Sequence, residues 1–243
     1  VLTTAEQRGL FRDSGYAVVP SLADDEALAE LRGIYDEFLV GSIDCGVNRR
    51  QLGGITPQIV NCRLYDPRLL KGPVVEAARV ASAELLGCDE AGFLFDMMIY
   101  KPPGHPQSTP WHQDLAYFDR PFSPAGTPNR KGAVQFWLAL DDADVENGCM
   151  HFLPGLHDQP MLEHCVASGD PNDEGRLLAF TDAVMASLDL DAAVACPIPA
   201  GSATAHGEGT PHYTPPNTSA DRPRRAYIMT WVDPTIHPLP PPP

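Results

Sequence analysis

His112 and Asp114 stand two positions apart in the aromatic run WHQDLAYF, residues 111–118. On a strand, alternate side chains share a face, so this pair would project together and reach one metal ion, while Gln113 between them turns away. A solvated polar edge gives the same pattern, so further donors are needed before a metal is favoured. They come far downstream, in AHGEGTPHYTPPNTSADRPRRAYIMTWV (205–232), which holds His206, His212, Asn217 and a cluster of arginines ahead of an apolar run. Two imidazoles and one carboxylate on one face suit iron(II) used for oxygen chemistry, because the opposite face stays open. His112, Asp114 and one distal histidine would supply that set, and zinc would accept the same donors. The arginines add a second requirement: a guanidinium fork is the preferred partner of a carboxylate held through both oxygens, as an oxo-acid co-substrate would need.

The elements that must position these residues are legible as a helical N-terminal third followed by strands. TTAEQRGLFRDSG opens with threonine caps and a glutamate in the first turn, YAVVP reads as a short strand, and DDEALAELRGIYDEFL places Leu28, Leu31, Tyr35 and Phe38 at helical spacing. A third helix is expected from Pro73, suited to a first helical position, to the stop at Gly87. From about residue 90 the runs FLFDMMIYK, AVQFWLAL, CMHFLP and RAYIMTWV read as strands separated by Pro, Gly and Asn147-Gly148 signals. The order suggests helices packed outside a double-sheet β core. Segments 119–132 and 157–195 read as long loops, the second acidic with short helical patches, and loops beside a site commonly act as lids. The expected organisation is one domain over 1–243: a helical layer to about 90, a core over about 91–233 and a Pro-rich tail over 234–243.

Charge and cysteines narrow the class. Seventeen Lys and Arg against 32 Asp and Glu leave a net charge of −15, which repels phosphate backbones and anionic lipid surfaces, so neither nucleic acid nor a membrane is expected as a partner. The six cysteines, at 45, 62, 88, 149, 165 and 196, form no CxxC and read as reduced thiols of a cytoplasmic protein. No basic, apolar leader and no run of eighteen apolar residues is present in this sequence. Oligomeric state is not specified.

Taken together and in order, the motifs resemble the phytanoyl-CoA dioxygenase family of Fe(II)- and 2-oxoglutarate-dependent oxygenases, from about Glu6 to Val232. FRDSGYAVVPSLADDEALAELR is similar to the family's opening helix, strand and helix, and YKPPGHPQSTPWHQD to its Lys-Pro-Pro strand end leading into HxD. FWLALDDADVENGCMHFLPGLH matches its Trp strand, Asn-Gly turn and Pro-Gly-x-His, and PHYTPPNTSADRPRRA its His-x-Ser-x-x-Asn segment ending in an arginine.

The resemblance implies a mainly β fold with flanking helices, a double-stranded β-helix or cupin-type jelly roll. It implies Fe(II), the co-substrate 2-oxoglutarate, O2 and a small-molecule substrate. Carried over by position, His112 and Asp114 are the first two iron ligands, and His212, five residues before Asn217, is the third. His206 is then a packing or hydrogen-bonding residue near the metal, and His157 anchors a loop. For 2-oxoglutarate the resemblance selects Arg224 and Thr214 at the distal carboxylate, with Met97 and Trp137 lining the pocket and Gln58 or Asn61 at the oxo-acid end. Here the chain departs from the pattern it resembles: the family usually has its arginine eleven residues after the distal histidine, which in this chain is Pro223, so the resemblance implies one inserted residue and RPRRA re-anchors on Arg224. Strand alternation supports that choice, since Arg224, Ala226 and Ile228 share one face and Arg225, Tyr227 and Met229 the other.

The reaction implied is hydroxylation of an unactivated C–H bond with release of succinate and CO2, the carboxylate of Asp114 distinguishing it from related halogenases. Desaturation, epimerisation or ring formation needs the same ligands. A zinc hydrolase is a rival that leaves the arginines without a role, and a non-catalytic cupin-like binding protein would have no need of every ligand. The acidic balance weakly disfavours a CoA thioester and favours a small metabolite or biosynthetic intermediate.

Overall fold

Helix boundaries in the computed structural model, which describes residues 2–118, 124–170, 172–173 and 176–239, fall where the capping chemistry puts them. Thr4 caps α1 (Ala5–Ser14) in a reciprocal box with Gln7, and Gly15 ends it in the left-handed conformation. That glycine leads straight into β1 (Tyr16–Val19), and a Cβ there would collide with His157 and Thr210. Asp24 caps α2 (Asp25–Val40), whose Leu28, Leu31, Ile34, Tyr35 and Phe38 form the buried stripe. The short antiparallel strands β2 (Arg49–Leu52) and β3 (Thr56–Val60) follow, and then α3 (Pro73–Leu86), with proline in its first turn and Gly87 as its stop.

The strand-rich remainder builds two sheets and a hairpin. In chain order come β4 (Gly92–Lys101), β5 (Thr109–His112), β6 (Ala133–Ala139), β7 (Met150–Phe152), β8 (His164–Val166), β9 (Leu178–Phe180), helix α4 (Asp182–Ser187), β10 (Val194–Cys196), β11 (Ala203–Gly207), β12 (His212–Thr214) and β13 (Arg224–Val232). The larger sheet runs β1-β11-β6-β13-β4-β3-β2, the smaller β10-β7-β12-β5, and β8 pairs with β9. Alternation gives the larger sheet two apolar faces. Phe136, Leu138, Tyr227, Met229 and Met98 pack against α2 and α3, while Trp137, Ala139, Ala226, Ile228 and Ile99 meet Met150, Phe152 and Cys196 of the smaller sheet. Two antiparallel sheets packed face to face, with helices outside, are the cupin-type double-stranded β-helix expected.

Two departures from the sequence reading matter for the site. The larger sheet takes β1, β2 and β3 from the first ninety residues, of which the sequence reading picks out only the strand at YAVVP. Pro57 sits in β3 near the sheet edge, where a missing N–H is tolerated. Segment 157–195 is also more than loop: it contributes the β8–β9 hairpin, α4 and β10, which pairs with β7 as part of the scaffold. Of the other expected loop, 119–132, residues 119–123 lie outside the described residues, as do 240–243 of the tail.

Candidate metal centre and co-substrate pocket

The two sheets bring together what the chain separates. In the antiparallel pairing of β12 with β5, His212 lies directly opposite His112, and their ring centroids are 4.1 Å apart. Asp114 is not on the strand: β5 ends at His112, Gln113 continues extended, and Asp114 opens a 3-10 turn through Tyr117. The extended residue preserves the alternation, so Asp114 still projects beside His112. Asp114 Oδ1 stands 3.5 Å from His112 Nε2 and 3.7 Å from His212 Nε2, and the three ligand atoms all lie within 4.8 Å of one another.

Every atom that faces away from that cluster is fixed. His112 Nδ1 lies 2.7 Å from the Pro110 carbonyl and His212 Nδ1 2.9 Å from the Thr210 carbonyl. A carbonyl only accepts, so both Nδ1 atoms carry the hydrogen and both Nε2 lone pairs point at Asp114 Oδ1. Burial, with the neighbouring His112, holds the His212 pKa well below its ordinary value, keeping the ring neutral and able to ligate. Burial alone would raise the Asp114 pKa, but its contacts with His212, His112 and His206 outweigh it and keep the carboxyl well below the usual range. Its second oxygen, Oδ2, accepts from Gln135 Nε2 at 2.7 Å and lies 3.1 Å from His206 Nε2. Gln135 is itself oriented, because Thr230 Oγ1 donates to its Oε1 at 2.9 Å, which turns the amide NH2 toward Asp114. A neutral-imidazole, ionised-carboxylate set of this kind fits a divalent iron.

Gln113 is wholly buried and turned from the metal side. It donates to the Gly209 carbonyl at 2.8 Å and accepts from Leu162 N–H at 2.8 Å, while its own N–H donates to His164 Nε2 at 3.0 Å. Burial lowers the His164 pKa to about 4, so that ring is the neutral acceptor the contact needs. Leu178 N–H donates to the Tyr117 hydroxyl at 3.0 Å, a second tie between segment 157–195 and the turn that carries Asp114. His157 ends the Pro-Gly-Leu-His stretch against the Arg12 carbonyl at 3.0 Å.

The other end of the sandwich is cationic. Arg224, the first residue of β13, is 1% exposed, its guanidinium lies 5.3 Å from the Trp137 ring centroid, and its Nε and Nη2 have no hydrogen-bond partner among the described residues. Burial lowers its pKa only to about 10, so it is charged at neutral pH. The flanking arginines differ. Arg225 faces outward onto Asp141 and Asp36, and Arg222 pairs with Asp144 and Glu146. An unpartnered, buried guanidinium is the atom set that the distal carboxylate of 2-oxoglutarate would satisfy.

Around it, Lys101 lies across from Arg224 in the β13–β4 register and donates to Thr214 Oγ1 at 2.9 Å. Asn217 holds the connecting chain by donating to the Lys101 carbonyl at 3.0 Å and the Arg222 carbonyl at 2.7 Å. Met97 shares the inner face, and Gln58, on the same face of β3, reaches its sulfur at 3.1 Å. Asn61 is not brought to this face: it stands past the end of β3 in a left-handed conformation, with its N–H on the Asp96 carbonyl at 2.7 Å. Sequence reasoning did not single out Gln135, Thr230 or Lys101. The available signal was one amide inside the apolar run AVQFWLAL and one cation ending FLFDMMIYK.

This chain matches the phytanoyl-CoA dioxygenase (PhyH) family over residues 11–226 and belongs to that family. EvdO2 from Micromonospora carbonacea var. aurantiaca, solved in complex with 2-oxoglutarate, is 34% identical, with a TM-score of 0.77 and coverage of 96% of this chain and 93% of that one. The epimerase SnoN, solved with Fe3+, alpha ketoglutarate and nogalamycin RO, shares the fold at 22% identity and TM-score 0.67, covering 94% of this chain and 82% of its own. Peroxisomal phytanoyl-CoA dioxygenase of Bos taurus is 41% identical over 185 residues, 65% of this chain. The present chain spans about half the length of that relative, 49%. No helix among the described residues is long and apolar enough to cross a membrane.

Proposed function

We propose that this protein is an Fe(II)- and 2-oxoglutarate-dependent dioxygenase that hydroxylates an unactivated C–H bond of a small metabolite or biosynthetic intermediate, releasing succinate and CO2. His112, Asp114 and His212 hold the iron, and the pocket from Gln58, Met97 and Trp137 to Thr214 and Arg224 holds the oxo-acid. The iron with its co-substrate supplies the oxidising power; the chain supplies position and shelter from water. Fixed Nδ1 hydrogens set the two imidazoles, and Gln135 with His206 occupies one Asp114 oxygen so that the other is the one presented. The single observation that carries this reading is the buried, unpartnered Arg224 guanidinium in the same sandwich as the triad. A zinc hydrolase gives that guanidinium no task.

Hydroxylation is favoured over halogenation by the carboxylate at position 114, whereas desaturation, epimerisation and ring formation depend on how the substrate lies against the same iron. Segment 157–195, tied beside His112 and Asp114 through Gln113 and Tyr117, is the part we assign to substrate closure. The net charge of −15 favours a substrate without the polyanionic CoA group. Six cysteines, all free, suit a reducing compartment such as the cytoplasm, and β1–β3 joining the larger sheet supports treating 1–243 as one oxygenase domain.

The test is a substrate screen scored by succinate release with Fe(II), 2-oxoglutarate and oxygen. Product analysis then separates hydroxylation from the other outcomes. A protein that binds neither Fe(II) nor 2-oxoglutarate would refute the reading. Replacing residues 165–190 by a short linker should alter substrate turnover far more than 2-oxoglutarate binding; an unchanged substrate profile would remove the closing role.

A further inference from the structure

We infer that Lys101 is a positioning residue of the co-substrate end: it aims the Thr214 hydroxyl hydrogen into the pocket, and with Arg224 makes a distal carboxylate the group this end selects. The inference rests on the function proposed above and deepens it.

Lys101 is fully buried, and its Nζ has three oxygens within reach: the Pro215 carbonyl at 2.7 Å, the Thr214 carbonyl at 3.2 Å and Thr214 Oγ1 at 2.9 Å. The two carbonyls only accept, so they take two Nζ hydrogens whether the amine is charged or neutral. The third direction faces Thr214 Oγ1, and there the charge state decides who donates. A neutral amine would accept the Thr214 hydrogen and turn it away from the pocket. An ammonium donates instead, and the hydroxyl hydrogen must then go elsewhere; no hydrogen-bond acceptor for it is present among the described residues.

Apart from those three oxygens, nothing among the described residues favours the charged form. Among the described residues, no carboxylate is hydrogen-bonded to Lys101 or Arg224, and the walls nearby are Trp137, Ile99 and Ala226. Burial, and then the charge of Arg224, lowers the Lys101 pKa to about 5. An anion placed on Arg224 works in the opposite sense, stabilising the ammonium through its charge. Arrival of a distal carboxylate thus favours the state in which Thr214 can donate to that same carboxylate. An oxo-acid lacking the distal carboxylate cannot call up this state, whatever its contacts at the iron. A buried lysine serving only as a strap between β4 and β12 would not distinguish the two ligands.

The experiment titrates iron-loaded protein without oxygen, following the charge-transfer absorption of the bound oxo-acid, with 2-oxoglutarate and with pyruvate as probes. Lys101→Met and Thr214→Val should each weaken 2-oxoglutarate binding about tenfold or more, the scale of a hydrogen bond to a charged group. The double variant should bind about as weakly as the worse single, because both substitutions remove one contact. Thr214→Ser should bind nearly as wild type, pyruvate binding should change little in Lys101→Met, and Fe(II) affinity should be retained throughout. Wild-type 2-oxoglutarate affinity in Lys101→Met, or losses that multiply in the double variant, would overturn the inference. Should Lys101→Met not fold, Lys101→Gln keeps two N–H groups for the carbonyls without the charge and carries the same test. If Arg224→Ala itself binds 2-oxoglutarate normally, the proposed function fails; if Arg224 is needed and Lys101 is not, only this inference falls.

Discussion

The two ends of the pocket are built on opposite principles. At the triad, the atoms turned away from the metal position are saturated: His112 and His212 are pinned through Nδ1 to backbone carbonyls, and Asp114 Oδ2 is held by Gln135 and His206. At the far end, Arg224 is buried with two nitrogens lacking partners among the described residues, beside the buried Lys101 amine. A metal site demands fixed donor geometry, and a saturated surround provides it before the metal arrives. A carboxylate site draws its affinity from groups left wanting, since a buried unpaired charge costs several kcal/mol until its partner comes. The scaffold thus holds the triad ready and leaves buried donors unsatisfied at the other end, as the proposed co-substrate site would require.

That contrast can be broken most severely at the triad. Alanine at His112, Asp114 or His212 should lower Fe(II) affinity by more than about a hundredfold, beyond the range of outer-shell substitutions, and abolish 2-oxoglutarate turnover. Asp114→Gly should also stop hydroxylation, and full activity in that variant would strike Asp114 from the ligand set. Next in size is the arginine comparison, by titration of 2-oxoglutarate with iron bound. Arg224→Ala should lose about 2–4 kcal/mol of binding and Arg225→Ala under about 1 kcal/mol, with the latter losing thermal stability instead because Asp141 keeps only the longer contact to Arg32. A strong binding loss in Arg225→Ala alone would shift the register by one residue.

A smaller effect should sharpen the picture of a saturated metal surround. Gln135→Leu frees Asp114 Oδ2 from its shorter contact and should weaken Fe(II) about tenfold, whereas His206→Ala should leave iron bound. Metal analysis in which iron is lost with His206 and kept without His212 would reverse the assignment of the two histidines.

The smallest effect belongs to the third arginine, Arg222, which lies outside both ends. Its hydrogen bond lowers the Asp144 pKa. A carboxylate lowered in the folded state adds stability above its unfolded value, near 3.9, and loses it as pH falls through the folded one. The difference between wild type and Arg222→Ala in thermal melts should therefore be present at neutral pH, stay small because the pair is largely exposed to solvent, and vanish in strong acid. A difference that grows below pH 4 would show that Arg222 acts through something other than this pair.

Much of the metal end was legible in the linear order of residues. A histidine and an aspartate in extended chain fix their own relative direction, and the Pro-x-Tyr-Thr-Pro-Pro-Asn context singles out His212 once the family pattern is in view. The inward direction of Arg224 followed from alternation, because its neighbours Ala226 and Ile228 are inner-face residues and Tyr227 and Met229 are not. Gln135 and Lys101 were not legible: each is an isolated polar residue in an apolar strand, and which strand face meets which partner depends on the register of strands distant in sequence. Asn61 shows the same limit in reverse, since the turn after β3 carries it off the pocket face.

The sequence by itself determined the periodicities and caps that make three helices and the principal strands, and it determined which residue types could ligate iron or grip a carboxylate. Those depend on neighbours within a few residues, where covalent geometry and side-chain alternation leave little freedom. Tertiary structure alone decided that His112 lies opposite His212, that Gln135 and His206 share one oxygen of Asp114, and that two Arg224 nitrogens have no hydrogen-bond partner among the described residues while Arg222 and Arg225 find theirs. Those outcomes depend on strand register and on which face is buried, and both are settled by packing between segments far apart in the chain.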